Sequence, residues 1–504
     1  MTANAPPTPA SLTGRIQATP DVLLNDEVLE PQFRYECRWL LPHYVTVEKA
    51  LLAEYARMGV MTPRQVGDVF DGLARVSPET IVADPRANMS DICFAIERVV
   101  TDHLPEPVPT WHIDRSRNDQ QACAQLMLGR GRLLEVAGSL IEAVHAALRL
   151  ADKYVDDPMP GYTHLQAAQV VTPAFVLTAL SAHLLHSLER LLATFAEMNG
   201  CPLGSGAMAG GELAWDRARM ARLLGFGRAE AHALTGVASR SWVLEFLAEL
   251  STLGVGISRF VTDMMAWASN EYGLLTLPDE LAGISSAMPQ KKNYPILERI
   301  RGKSAHLLAA YVDSASGQRS AGYSNSVEVS KEATSQLVPT CQTAGTMLRL
   351  LTAVLDGANF DRARMRAACE REFVGGSSLA TALVLAADLP WREAQVAAGR
   401  YIVAAQDAGH APADIQSGLL DSILADLGHR VPDAHRLLTD AFDADRNLRG
   451  KVTAGAASPD AVRQLVLDQE SALARVTREW QERSAVIDAT EARVDTVLRE
   501  ERRS

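Results

Sequence analysis

Nine residues in the middle of the chain, Ser285-Ser286-Ala287-Met288-Pro289-Gln290-Lys291-Lys292-Asn293, combine two hydroxyls, two ammonium groups, an amide and a proline. A serine acts as a base only after losing its proton, and the resulting alkoxide needs a nearby cation and N–H donors. Lys291 and the amides of a loop supply both, and Asn293 adds a side-chain donor. Gly283, just ahead of this stretch, provides a hinge for a lid that closes over a substrate and excludes water. The competing explanation is a basic turn between helices, but such turns rarely combine Ser-Ser, Met-Pro and Lys-x-Asn.

Two other polar islands carry chemistry. WHIDRSRNDQ (111–120) sets Arg115, Ser116, Arg117 and Asn118 before a helix. Guanidinium groups bind carboxylates bidentately and a helix start offers free N–H groups, so the island fits a carboxylate site, although taken alone such a cluster reads better as a capped helix start with solvated arginines. PGYTHLQAAQ (160–169) places Thr163 and His164 in a Pro-Gly turn, where an imidazole titrates near neutral pH and can move a proton. His183 and His186 share a helical face but lack a carboxylate or cysteine partner, so no metal site is indicated.

The elements that must position these islands are helical. Residues 129–155, 172–198 and 241–273 repeat apolar side chains at three- and four-residue spacing, and NYPILERIRGKSAHLLAAYVDSASG opens a fourth such segment. Helices this long exceed what a compact monomer needs, which predicts an elongated bundle whose apolar faces are shared between subunits. The expected architecture is mainly α: a central long-helix bundle over 111–361, an N-terminal domain over 1–110 with about the first 15 residues disordered, and a C-terminal helical domain over 362–504.

Composition bounds the function. The 504 residues are 47% hydrophobic and 22% charged with a net charge of −12, so a large core is affordable to the chain and nucleic acid or an anionic membrane is excluded as a default partner. No apolar stretch reaches membrane-spanning length, the first residues lack the basic and apolar regions of a secretory signal, and the six scattered cysteines form no CxxC pair. A cytoplasmic enzyme acting on a small acidic molecule is the expectation.

Four segments in order, RSRNDQ, PGYTHLQAAQ, PLGSGAMAG (202–210) and SSAMPQKKN, resemble argininosuccinate lyase and with it the fumarase/aspartase superfamily. The resemblance runs from about Met89 to PWREAQ (390–395). It implies a homotetramer whose active sites draw on three subunits, and an anti elimination that breaks a C–N bond and releases fumarate without a cofactor. By the same resemblance Ser285 is the base, Lys291 and Asn293 stabilise the aci-carboxylate intermediate and Met288 lies in the substrate loop. Thr163 and His164 face the leaving group, and Ser116, Arg117 and Asn118 hold the succinyl carboxylates.

The amine half departs from that pattern. VASRSW (237–242) keeps Arg240 but has Ser239 and Ser241 where the family has acids, and YSNSVEVSK (323–331) keeps Tyr323 and Lys331 but puts Glu328 in place of glutamine. Cys93 and Gln395 stand where histidine is usual, Ile284 replaces a glycine and Tyr294 a proline. Glu328, within one helical turn of Lys331, is expected to pair with it or to recognise a cationic amine. These changes point to a lyase for an N-substituted aspartate other than argininosuccinate, with true argininosuccinate lyase as the alternative and a crystallin-like structural relative as a minor one.

Overall fold

A computed structural model describes residues 14–503. The expected disorder at the start falls almost wholly outside these residues. Among the helices that precede the longest one, α3 (Arg117–Asp152), are α1 (Glu30–Trp39) and α2 (Leu41–Arg57). At 36 residues α3 runs roughly 54 Å. Ser116 caps it by accepting the Asn118 N–H at 3.2 Å. The helix starts at the island the sequence set before it, twelve residues ahead of the apolar spacing quoted from 129, and its first turns bury polar side chains: Asp119, Gln120, Gln121 and Gln125 are all buried.

A two-stranded hairpin follows, β1 (Met159–Thr163) against β2 (Gln166–Val171), with a bulge at Gly161/Tyr162. Then come α4 (Pro173–Glu197), α5 (Ser241–Trp267), α6 (Pro295–Gln318) and α7 (Leu337–Gly357). Thr172 caps α4 through the Phe175 N–H, with proline at the first helical position where its missing N–H costs nothing. α5 stops at Trp267 rather than at 273, since Gly273 adopts a left-handed φ of 59° in the turn that follows.

Helices α3 to α7 form a closed ring in which each packs on the next and α7 returns to α3. Leu133, Leu140, Leu188, Phe246, Leu250, Ile300, Leu307, Leu348 and Leu351 are fully buried along the shared interior. Each such side chain contributes about 1.5–3 kcal/mol relative to exposure. The ring is therefore a rigid frame for whatever its ends carry.

The segment after 361 divides. α8 (Gly376–Ala387), α9 (Trp391–Asp407), α10 (Ser417–Asp426) and α11 (Ala434–Phe442) enclose a separate core of Leu379, Leu383, Tyr401, Leu420, Leu424 and Leu438. α12 (Pro459–Asp488) and α13 (Thr490–Glu501) instead return to the main core through Val462, Leu473, Trp480, Val494 and Leu498. The single C-terminal unit expected over 362–504 is thus two pieces with different packing partners. All six cysteines are unpaired, and no helix among the described residues is long and apolar enough to cross a membrane.

Candidate active site

The stretch 284–292 is a loop closed at its base. Gly283 and Asn293 exchange backbone hydrogen bonds, Gly283 N–H to Asn293 O at 2.8 Å and Asn293 N–H to Gly283 O at 3.2 Å. A Cβ on Gly283 would lie 2.7 Å from Pro295 Cγ, so glycine is required here by close approach of the proline ring. The expected hinge is in fact a pinned neck, and freedom belongs to the tip beyond it. In the tip the Ser285 hydroxyl accepts the Met288 N–H at 3.1 Å, and Met288 and Ile284 are exposed. The two lysines differ. Lys292 is committed to Asp279 and to the Leu277 carbonyl, both at 2.7 Å, whereas the Lys291 ammonium has no partner among the described residues and lines a cleft of about 730 Å³ with Asn293.

The start of α3 is tied to the glycine-rich segment 202–210. Asp119 accepts the N–H groups of Gly204 and Gly206 at 2.9 and 3.0 Å, and Asn118 donates to the Ala207 carbonyl at 3.0 Å. Gly206 sits at φ 60°, and a Cβ there would meet the Gly210 carbonyl oxygen at 2.6 Å. Asp119 is buried, and desolvation pushes its pKa up to about 7 against the two glycine N–H groups that favour the anion. Its Oδ1 has no hydrogen-bond partner among the described residues. Arg117 reaches away from this knot to pair with Asp91 and to lie over Phe94 at 5.0 Å. Arg115 is buried against Glu48 at 2.6 Å and next to His112, which its charge and burial hold neutral, so it is structural.

A polar network continues from Asn118 into the interior. Asn325 donates to Asn118 at 3.1 Å and accepts from Arg240 at 3.1 Å; Arg240 also donates to Gln125 at 2.9 Å and to the carbonyls of Val237 and Ser239. Arg240 is 2% exposed and every nitrogen of its guanidinium is used. Within the chain it holds α3 against the 323–331 segment. Burial without a carboxylate partner lowers its pKa to about 10. Ser239 and Ser241, standing where the family has acids, bond to each other at 3.0 Å.

Lys331 pairs with Glu36 of α1 at 3.3 Å, not with Glu328. Residues Glu328–Glu332 form one wide helical turn that leaves Glu328 exposed and outside the cleft around Lys331, so its expected pairing with Lys331 is not made within the chain. Tyr323 is likewise exposed. Glu36 accepts from Gln32, Gln121 and Lys331, and its burial raises its pKa against the opposing charge of Lys331. Reasoning from the sequence passed over Glu36, Asp119, Gln121, Gln125 and Asn325. A signal for Glu36 was present: with Phe33 and Leu40 it falls at helical spacing on one apolar face, an unusual place for a lone acid.

Thr163 and His164 occupy the tip of the β1–β2 hairpin. His164 and Leu165, the two turn residues, have φ of 53° and 62°, the combination a tight hairpin turn demands and that asparagine or glycine would adopt at less cost. Leu165 is 75% exposed. Within one chain Arg117, Lys291 and Leu165 line three different clefts, those of Lys291 and Leu165 meeting at Arg364.

The Lyase family model matches residues 75–308. The argininosuccinate lyase of Methanothermobacter thermautotrophicus is 30% identical over 418 residues, covering 82% of this chain and 89% of the relative. That of Synechococcus sp. is 33% identical over 369 residues, 72% of this chain and 74% of the relative. Among solved structures, EDDS lyase in complex with formate superposes with a TM-score of 0.85 at 22% identity over 96% of this chain and 97% of that one. Class II fumarase from Schistosoma mansoni gives a TM-score of 0.66 at 12% identity over 80% and 91%. The ring of long helices is their shared fold, and with the identity to the curated relatives it places the chain in the argininosuccinate lyase-like branch of the fumarase/aspartase superfamily.

Proposed function

We propose that this carbon–nitrogen lyase cleaves an N-substituted aspartate to fumarate and a free amine, and that it also runs in reverse as fumarate addition. Ser285 takes the Cβ proton, the electron pair moves into the adjacent carboxylate as an aci-carboxylate, and its collapse forms the C=C bond as the C–N bond breaks. The amine leaves with a proton delivered from the side of Thr163 and His164. Lys291 and Asn293 stabilise the doubly charged intermediate, and Ser116, Arg117 and Asn118 hold the succinyl group.

The observation that carries this is the difference between the two lysines of the loop that holds Ser285: Lys292 is held by Asp279, and Lys291, without a partner among the described residues, lines an open cleft with Asn293. A preorganised cation of this kind contributes about 3–4 kcal/mol at a developing anion. Because the three islands line different clefts of one chain, with only those of Lys291 and Leu165 meeting at Arg364, the complete site is proposed to form in a homotetramer, from segments of different subunits. The unpaired cysteines support a cytoplasmic location. Fumarate release, followed by its ultraviolet absorbance with a panel of N-substituted aspartates, tests the proposal; no release from any member overturns it. Cleavage of argininosuccinate is the second reading, favoured by the names of the curated relatives, and the same panel decides it.

A further inference from the structure

The carboxylate of Asp114 is committed to a single stretch of chain. Its oxygens accept the Glu212 N–H at 2.8 and 3.0 Å, the Leu213 N–H at 2.7 Å and the Trp215 indole N–H at 2.9 Å. To reach them the residue takes a left-handed backbone, φ 56°, a conformation that a residue other than glycine adopts at a cost. Gly211 leaves space for it from the other side: a Cβ there would lie 2.7 Å from Asp114 Oδ2 and 2.9 Å from Trp215 Nε1. Tyr55 fixes the strained turn by donating to the Ile113 carbonyl at 2.6 Å.

The counterpart of this clamp is Asp119, which accepts the Gly204 and Gly206 N–H groups. Two aspartates of one island thus hold both legs of a loop that is closed by the Gly210 N–H on the Ser205 carbonyl at 2.8 Å. Between them in sequence stand Ser116, Arg117 and Asn118. The loop meets the last of these directly: the Asn118 amide donates to the Ala207 carbonyl at 3.0 Å, while its oxygen accepts from Asn325. An amide held at both ends has one orientation, and here it is set from outside α3. The helix itself does not need Asp114, since Ser116 is its cap.

We infer that Asp114 is a positioning residue for the succinyl half of the substrate: it locks the 205–213 loop against Asn118 and so sets the direction in which the Asn118 amide is offered to a carboxylate. This rests on the lyase function proposed above. Asp114 itself does not touch substrate, because both of its oxygens are taken. Its loss acts on affinity for the succinyl group and leaves the amine contacts and the proton transfer at Ser285 in place.

The test uses the full-length protein. Fumarate affinity is read by calorimetry, and KM for fumarate and for the amine by product mass in the addition direction with 1,2-diaminoethane, ammonium and L-arginine. Asp114→Gly relieves the backbone cost and deletes the clamp, and Gly211→Ala presses on the same contact from the opposite side. Each should weaken fumarate binding by about 10-fold or more, the scale on which a misplaced positioning contact is felt, and raise its KM in step, while KM for the amine stays within about 3-fold. Asp114→Asn, which keeps one acceptor oxygen, should fall between wild type and Asp114→Gly; it and Gly211→Ala carry the test if Asp114→Gly does not fold. Fumarate affinity unchanged in these variants overturns the inference and leaves the lyase function standing. Both KM values rising together would make Asp114 a structural strut, which overturns it as well. Fumarate binding that depends on Asp114, without addition to any amine or release from any N-substituted aspartate, overturns the lyase function and keeps the clamp. Neither binding nor turnover in the wild type overturns both.

Discussion

Gly283 and Asn293 close the 284–292 loop by pairing backbone to backbone, and the pairing leaves no room for a side chain on Gly283 because Pro295 lies against it. Gly283→Ala should therefore force the neck apart, lowering kcat by about 10-fold or more while the helical ring keeps its far-ultraviolet circular dichroism. Kinetics equal to wild type would show that the neck geometry is irrelevant to the reaction.

Ser285→Ala removes a hydroxyl from a loop and creates no core cavity, so assembly and melting temperature should hold while turnover disappears. Retention of more than about a tenth of the rate would sink its assignment as base. Lys291→Ala should cut kcat by about 10²-fold, the effect of deleting one electrostatic stabiliser, whereas Lys292→Ala should act mainly through loop order.

Subunit complementation tests the shared site. Ser285→Ala and His164→Asn proteins, each inactive, should regain activity when mixed under conditions of subunit exchange, because some sites then receive both native segments. Confirmed exchange without recovery would place each site within one chain.

Asp119 gives a pH signature with a definite sign. Its folded pKa of about 7 lies above the ordinary aspartate value near 4, so between about pH 4 and 7 the folded state holds a proton that the unfolded state has released. Stability from this group is present below that window and is lost as pH rises through it, on the order of 1 kcal/mol per pH unit at the steepest. Asp119→Asn abolishes the titration, so melting temperatures of variant and wild type should diverge in the variant's favour from pH 5 to pH 8. A gap that stays constant over that range would show that Asp119 titrates elsewhere.

Much of this was legible in the sequence. The long helices announced themselves because Leu and Ala at three- and four-residue spacing have one stable use, and the lyase signature lay in four contiguous segments. The apolar spacing of α3 was read only from 129 because Gln121 and Gln125 break the rhythm to reach Ser330, Asn325 and Glu36. The partner of Lys331 was misjudged for a related reason. Glu328 and Lys331 are close in sequence and invited pairing, but their turn is wider than an α-helical one, and the ammonium meets an acid almost 300 residues earlier. Contacts between distant segments are invisible to local spacing. The return of α12 and α13 to the main core was hidden in the same way.

The pinned neck has a thermodynamic consequence. Bringing the ends of a loop together costs entropy that grows only slowly with length, and here Gly283 and Asn293 have met that cost in the free protein. A substrate that orders the tip therefore restricts only the residues between them and does not have to gather two distant strands of chain. Lengthening the tip by one or two residues should leave the neck closed and shift Ser285 relative to Lys291, converting a question of flexibility into one of register.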